Sequence, residues 1–262
     1  MPSDLPESRR DLLRPLRYAV RVPLLALHLS LALPVVLLVI GLPSQRWRLR
    51  SGENLRQRTI RAWQSGLLRI FGLRARRVGV PLPGAALFVA NHVSWIDISL
   101  LHSQHAVGFV AKAEIARWPL VGAMASRAGT IYHRRGNENS LRGVMEQVVE
   151  RLRDGQPIGV FPEGGTGDGS AVRVFHARIL QVAVDAQTPV QPVALCYGPQ
   201  GAAQTQVAFA AGESFARNFF RLLGDRGRLA QVHFLDPIEP ITGGRRAMAE
   251  NARAQIARAM ER

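Results

Sequence analysis

The chain has 262 residues, 47% hydrophobic and 20% charged, a composition that builds a packed core and excludes a disordered or fibrous chain. Its formal net charge is +15, and of its 34 basic residues every one except Lys112 is Arg; so large an excess implies an anionic partner, whether nucleic acid, anionic lipid headgroups or phosphorylated ligands. The single cysteine, Cys196, excludes an internal disulfide and any zinc site built from several thiolates.

The first predicted element is a membrane segment. Residues 22–42, VPLLALHLSLALPVVLLVIGL, carry no charge over 21 positions, and about 20 apolar residues suffice to cross a bilayer core of roughly 30 Å. Pro23, His28, Ser30 and Pro34 dilute the run. It is longer than the apolar region of a signal peptide, ~7–15 residues, and it ends in Gly41-Leu42-Pro43 rather than at a small-residue cleavage site. Pro34 argues against a buried soluble helix, because it breaks the ladder of hydrogen bonds in mid-element. Arg flanks both ends, so charge gives no orientation, and spanning and re-entrant arrangements both stay open.

Residues 46–77 hold ten Arg among Trp47, Leu55, Trp63, Leu67, Leu68, Phe71 and Leu73. The apolar spacings predict a basic amphipathic helix. Such a helix either lies in the headgroup layer or packs on a soluble domain with its Arg to solvent. Residues 1–80 are therefore expected to form a membrane-anchoring region and 81–262 a separate domain.

Beyond Pro81 short apolar runs alternate with helical patterns: ALFVAN, GFVAK, GTIYH, PIGVFPE, PVQPVALCY and AQVHFLD. Between the third and fourth, Leu141, Val144, Met145, Val148, Val149 and Leu152 repeat at helical spacing, closed by Gly155. A last, Ala-rich helix is expected from about Arg245. Strands separated by helices predict an α/β fold, a largely parallel sheet flanked by helices.

The chemistry concentrates after the first of these strands, in Asn91-His92-Val93-Ser94-Trp95-Ile96-Asp97. Ligands of α/β sheets bind outside the carboxyl ends of strands. A His there can take a proton from a hydroxyl near neutral pH. A carboxylate five positions on can hold its other ring nitrogen, the His-Asp half of a triad with the substrate's own hydroxyl in place of Ser. The same Ser94-x-x-Asp97 also reads as a plain helix capping box. Further on, EGGTGDG places four glycines over residues 164–169, where bare amides can approach a ligand or an oxyanion closely. No Gly-Lys-Ser/Thr follows, so it is not a P-loop. Arg134 and Arg135 end a strand and can offer bidentate hydrogen bonds to a phosphate.

These residues resemble the lysophospholipid and glycerol-phosphate acyltransferase family, which includes 1-acylglycerol-3-phosphate acyltransferases. The family's first block, N-H-x-S-x-x-D, is matched in full. Its second, a Gly and a short apolar strand ending in Arg, resembles residues 129–135 with Arg135 at the Arg position. Its third, F-P-E-G, stands as Phe161-Pro162-Glu163-Gly164, and its fourth resembles residues 188–193. The resemblance implies His92 and Asp97 as catalytic residues, and Lys112, Arg134, Arg135, Glu163, Gly164, Gly165 and Thr166 at the substrate. It implies a lysolipid acceptor, an acyl-CoA or acyl carrier protein donor, no metal and no cofactor. It also implies an enzyme of the inner, cytoplasmic membrane, with anionic lipids around it and its catalytic domain on the cytoplasmic side.

One departure bears on the acceptor. The family's third block usually continues Gly-Thr-Arg, with the Arg holding phosphate, whereas here Gly165 and Thr166 follow Gly164. Lys112 and Arg135 favour lysophosphatidate, and two retained cations outweigh one missing one, so 1-acyl-sn-glycerol-3-phosphate is the expected acceptor; the missing Arg and the added Asp168 make a headgroup with an ammonium, as in lyso-ornithine lipid, the alternative. A membrane-tethered nucleic-acid-binding protein is the distant alternative. It lacks a recognition motif, since the densest Arg lies beside the apolar segment.

Overall fold

The structure is a computed structural model that describes residues 11–49, 53–118, 121–134, 138–240 and 243–261. The apolar segment belongs to a longer helical stretch, Arg14–Gly41. It is made of α1 (Arg14–Leu27), a π-helical turn (His28–Ala32) and α2 (Leu33–Gly41). Pro34 cannot donate to the carbonyl one turn back, and the wider turn just before it absorbs that break in the ladder. One face of the stretch, Leu25, Leu33, Val36 and Ile40, is buried against the protein, while Leu16, Val20, Leu27, Leu31, Val35 and Leu38 are exposed.

The amphipathic helix expected over 46–77 is α3, Leu55–Ile70. Its start is fixed by a capping box: Asn54 Oδ1 accepts from Gln57 N, and Gln57 Oε1 accepts from Asn54 N. Its apolar stripe, Ile60, Trp63, Leu67 and Leu68, is buried. The stripe therefore packs on the protein and not in a headgroup layer, because α1 and α2 lie over it. His28 of the π-helical turn stacks on Trp63 with ring centroids 5.0 Å apart.

Residues Leu73–Val78 form β1, an edge strand paired with β7 (Arg228–Phe234). The expected boundary at residue 80 therefore falls inside the α/β unit. Arg74, Arg76 and Arg77 hid the strand from the hydropathy pattern, yet charge is what an edge strand carries to discourage pairing with other chains.

The remaining strands are β2 (Leu87–Ala90), β3 (Gly108–Lys112), β4 (Ile131–His133), β5 (Ile158–Val160) and β6 (Val190–Tyr197). The sheet order is β1-β7-β6-β2-β5-β3-β4. The five strands from β6 to β4 are parallel, whereas β7 runs antiparallel to β6 and carries β1 with it. Connecting helices are α4 (Ile96–Gln104), α5 (Val121–Arg127), α6 (Glu138–Arg153), α7 (Gln181–Ala186), α8 (Gln204–Val207), α9 (Phe215–Gly224) and α10 (Gly244–Met260). Side chains alternate across the sheet. Phe88 and Ala90 of β2 join a core with α3, α4 and α9 on one face, and Leu87 and Val89 join a core with α6, α7 and α10 on the other.

A polar clamp fastens α1 to the end of α9. Tyr18 OH donates to Phe220 O at 2.6 Å, Arg17 Nη1 to Gly224 O at 2.9 Å, and Arg21 Nη1 to Leu223 O at 2.8 Å and Asp225 O at 2.7 Å. The last carbonyls of a helix have no partner within it, and a guanidinium there also meets the negative end of the dipole. Arg21→Ala is expected to destabilise the detergent-solubilised protein by about 1.5–3 kcal/mol in chemical denaturation, the cost of losing hydrogen bonds from a charged group. The exposed control Arg142→Ala is expected to stay within about 0.5 kcal/mol of the parent. Equal effects of the two would show that the clamp adds nothing.

Candidate active site

Because β2, β5, β3 and β4 are parallel neighbours, the residues that follow them reach one edge of the sheet, where α/β proteins bind ligands. That edge carries His92 after β2, Glu163 after β5, Lys112 at the end of β3 and Arg134 after β4. Asn91 pins the end of β2 to β6, donating from Nδ2 to Leu195 O at 3.0 Å and accepting from Leu195 N at 2.8 Å.

Asp97 stands in the first turn of α4 and is completely buried. Its Oδ2 lies 2.8 Å from His92 Nδ1 and accepts from Val93 N at 2.7 Å and Ser94 N at 2.8 Å. Tyr197 OH donates to its Oδ1 at 2.6 Å. The capping box read from Ser94-x-x-Asp97 is thus half formed. The carboxylate reaches back to the Ser94 amide, but the Ser94 hydroxyl donates to Asn218 Oδ1 at 3.3 Å and caps nothing.

The His92 ring stacks on Phe161 with centroids 4.0 Å apart and planes 14° off parallel, and 16% of its side chain is exposed. With Nδ1 on Asp97, Nε2 faces away from the carboxylate. Glu163 Oε1 accepts from His92 N at 3.0 Å and Gly167 N donates to His92 O at 2.7 Å, so residues 163–167 wrap the backbone of the histidine. Burial raises the pKa of the Glu163 carboxyl above its ordinary value. Gly164 has φ +72°, a conformation that favours glycine, and a Cβ there would press on the His176 ring at 3.1 Å. Among the described residues the amides of Gly165 and Thr166 have no hydrogen-bond partner.

A family model described as Acyltransferase matches residues 51–196. The chain is 36% identical over 244 residues to a lyso-ornithine lipid O-acyltransferase of Pseudomonas aeruginosa, covering 92% of this chain and 91% of the relative. The chain belongs to the acyltransferase family. It is also 34% identical over 163 residues to a 1-acyl-sn-glycerol-3-phosphate acyltransferase of Neisseria gonorrhoeae, covering 58% of this chain and 64% of the relative. The crystal structure of the 1-acyl-sn-glycerophosphate acyltransferase of Thermotoga maritima superposes with a TM-score of 0.71 at 18% identity, over 95% of this chain and 96% of the other, and so shares the fold.

In this acyltransferase the cations lie further along the same edge. Lys112 is exposed and paired in register with His133, which puts Arg134, also exposed, one residue beyond it. At the usual strand spacing β3 and β4 stand roughly 10 and 15 Å from β2. Arg135 lies outside the described residues. Arg173 reaches back to the glycine loop, with Nη1 3.5 Å from Thr166 O, so a cation from further along the chain stands near the loop that lacks its usual Arg. Asp168 is engaged in its own turn, accepting from Ser170 N at 2.9 Å and Ser170 Oγ at 2.6 Å, and these bonds hold its pKa below the ordinary value. Among the described residues no group of three or more His, Cys, Asp or Glu is placed to hold a metal ion.

Three residues at this site escaped the sequence reading. Tyr197 ends the apolar run of β6, and nothing in that run tells that β6 lies beside β2. Asn218 of α9 accepts from Trp95 Nε1 at 3.1 Å as well as from Ser94, and donates to Glu213 Oε2 at 2.9 Å. Hydrogen bonding from Arg221 holds the Glu213 carboxyl down at about 2. His176 lies against Gly164, and a lone histidine in an irregular stretch gave no signal.

Proposed function

We propose that the enzyme transfers a fatty acyl group from the thioester of acyl-CoA or acyl carrier protein to the free hydroxyl of a lysolipid, with His92 as general base. The observation that carries this reading is the 2.8 Å contact between His92 Nδ1 and the buried Asp97, which directs Nε2 away from the carboxylate. The acceptor O–H gives its proton to Nε2 as its oxygen attacks the thioester carbonyl, and Asp97 stabilises the imidazolium that forms. The amides of Gly165 and Thr166 receive the tetrahedral oxyanion. The C–S bond then breaks, and the leaving thiolate takes the proton from His92. The reaction written this way draws on no metal and no organic cofactor. Glu163 holds the backbone of His92, while Lys112, Arg134 and Arg135 meet the anionic part of the acceptor.

Two acceptors fit this chemistry. Lyso-ornithine lipid is the one we favour. Its carboxylate suits the Arg and Lys edge and its ammonium suits Asp168, and similarity to the Pseudomonas relative covers 92% of this chain. Lysophosphatidate is the second reading, supported by Lys112 and Arg134 at the edge and by the Neisseria relative. The kcat/KM of the purified enzyme for lyso-ornithine lipid is expected to exceed that for lysophosphatidate; a ratio well below one selects the second reading.

We further propose that Arg14–Gly41 holds the enzyme on the inner membrane, with the catalytic domain on the cytoplasmic side where acyl donors are made. The stretch is long and apolar enough to cross a membrane. However, α1 packs on α9, and α2 packs on α3 and α5. This favours a helix lying along the domain with its exposed leucine face in the lipid. The protein is expected to sediment with membranes and to stay there in high salt, because apolar burial is not screened by ions. Release by salt alone would assign the binding to surface Arg.

A further inference from the structure

We propose that Tyr197 is a positioning residue of the acyl transfer, whose hydroxyl holds Asp97 by a single donated hydrogen bond and sets how strongly Asp97 attracts the proton on His92. The inference rests on the reading of His92 as base. Its geometric support lies in how firmly the end of β6 is fixed. Tyr197 N donates to Gln204 Oε1 at 2.8 Å, Gln204 Nε2 donates to Leu195 O at 2.9 Å, and Asn91 grips the same Leu195 from β2. Gln204 and Asn91 are both buried. Two buried amides thus lock the strand end that presents the phenol, and the phenol meets Asp97 at 2.6 Å.

The electrostatics give the bracket a purpose. Burial and the neighbouring Asp97 raise the Tyr197 pKa well above the ordinary value, so Tyr197 keeps its proton and acts only as a donor. Asp97 then faces four donors: Tyr197 OH on Oδ1, and Val93 N, Ser94 N and His92 Nδ1 on Oδ2. Hydrogen bonds to a carboxylate favour its charged form and spread its charge. Both oxygens of Asp97 are thereby held in place, and Oδ2 restrains the histidine ring. The other titratable groups nearby are Glu163 on the His92 amide, Cys196 beside Tyr197, and Arg173 and His176 around the glycine loop. Burial pushes the Cys196 thiol up to about 12, so it does not titrate in the working range. Glu163, Arg173 and His176 are unchanged between variants, so a difference between them reports position 197.

The experiment is the pH profile of kcat/KM for acyl transfer by full-length enzyme whose dependence on acceptor and on His92 has first been established; failure of that step speaks against the base assignment, not against Tyr197. In Tyr197→Phe the carboxylate loses a donor and pulls harder on the imidazolium. The acid limb is expected to move up by roughly 0.5–1 pH unit, with kcat lower by about tenfold and both KM values within about twofold. The second arm replaces the phenol by 3-fluorotyrosine in a Tyr18→Phe/Tyr132→Phe background, where position 197 is the only tyrosine of the three in the chain. A more acidic donor binds the carboxylate harder, so the limb is expected to move down relative to the same background with ordinary tyrosine. Should Tyr197→Phe not fold, the fluorotyrosine arm decides alone. Superimposable profiles, shifts in one common direction, or a change confined to KM would overturn the proposal.

Discussion

Replacing His92 by alanine is expected to lower kcat/KM by about 10²–10⁴-fold, the range that a positioned general base contributes, while the protein stays folded. Folding should survive because the bonds holding this segment come from its backbone: Glu163 accepts from the His92 amide and Gly167 donates to its carbonyl. What is lost is a ring that stacks on Phe161 at the edge of the site. Turnover is checked by product formation and folding by circular dichroism. A folded variant with near-parental turnover would leave the histidine a packing role only.

Asp97→Asn is expected to cost about as much, on the order of 10²–10⁴-fold in kcat, and it separates chemistry from capping more sharply. Asn keeps an oxygen that can accept from the Val93 and Ser94 amides, so the start of α4 survives. That oxygen takes the place of Oδ2 and so also faces His92 Nδ1, while the NH₂ takes the place of Oδ1 and faces the Tyr197 hydroxyl. What is lost is the negative charge, because a neutral amide cannot balance an imidazolium. The destabilisation is expected to be about 1–3 kcal/mol, because the buried Tyr197 hydroxyl or the His92 nitrogen then meets a poorer partner. If kcat is retained, the aspartate is a helix cap and nothing more.

Much of this arrangement is legible in the sequence because it rests on local patterns. Strands β2 to β6 are short apolar runs bounded by polar, Gly or Pro residues, and α6 repeats its apolar residues at helical spacing. His92 and Asp97 could be paired because a strand end followed by one turn of helix fixes their separation. The misreadings have physical causes. In β1, burial falls on Leu73 and little else, so Arg74, Arg76 and Arg77 read as the continuation of a helix. The reversal of β1 and β7 leaves no trace in hydropathy, since strand direction depends on connections and not on side chains. The amphipathic stripe of α3 gave no way to tell lipid from protein as its partner; the cover provided by α1 and α2 decides it.

The site was less legible than the fold. Tyr197 lies 100 positions from Asp97 and Asn218 lies 124 from Ser94, and only sheet order and the docking of α9 bring them together. The family's Arg is absent after Gly165, and only the fold shows that Arg173 approaches the same loop from further along the chain. Asp168, read as a free acid near the headgroup, is partly committed to Ser170, which tempers its pull on an ammonium without removing its charge.

The most direct test of direct acyl transfer on His92 is thiol release from a long-chain acyl thioester, followed in single turnover with and without lysolipid. The account predicts release only when the lysolipid is present, one thiol per acylated product, and release slowed by about 10²–10⁴-fold in His92→Ala. A burst of thiol without acceptor, or equal release by the His92→Ala protein, would contradict it.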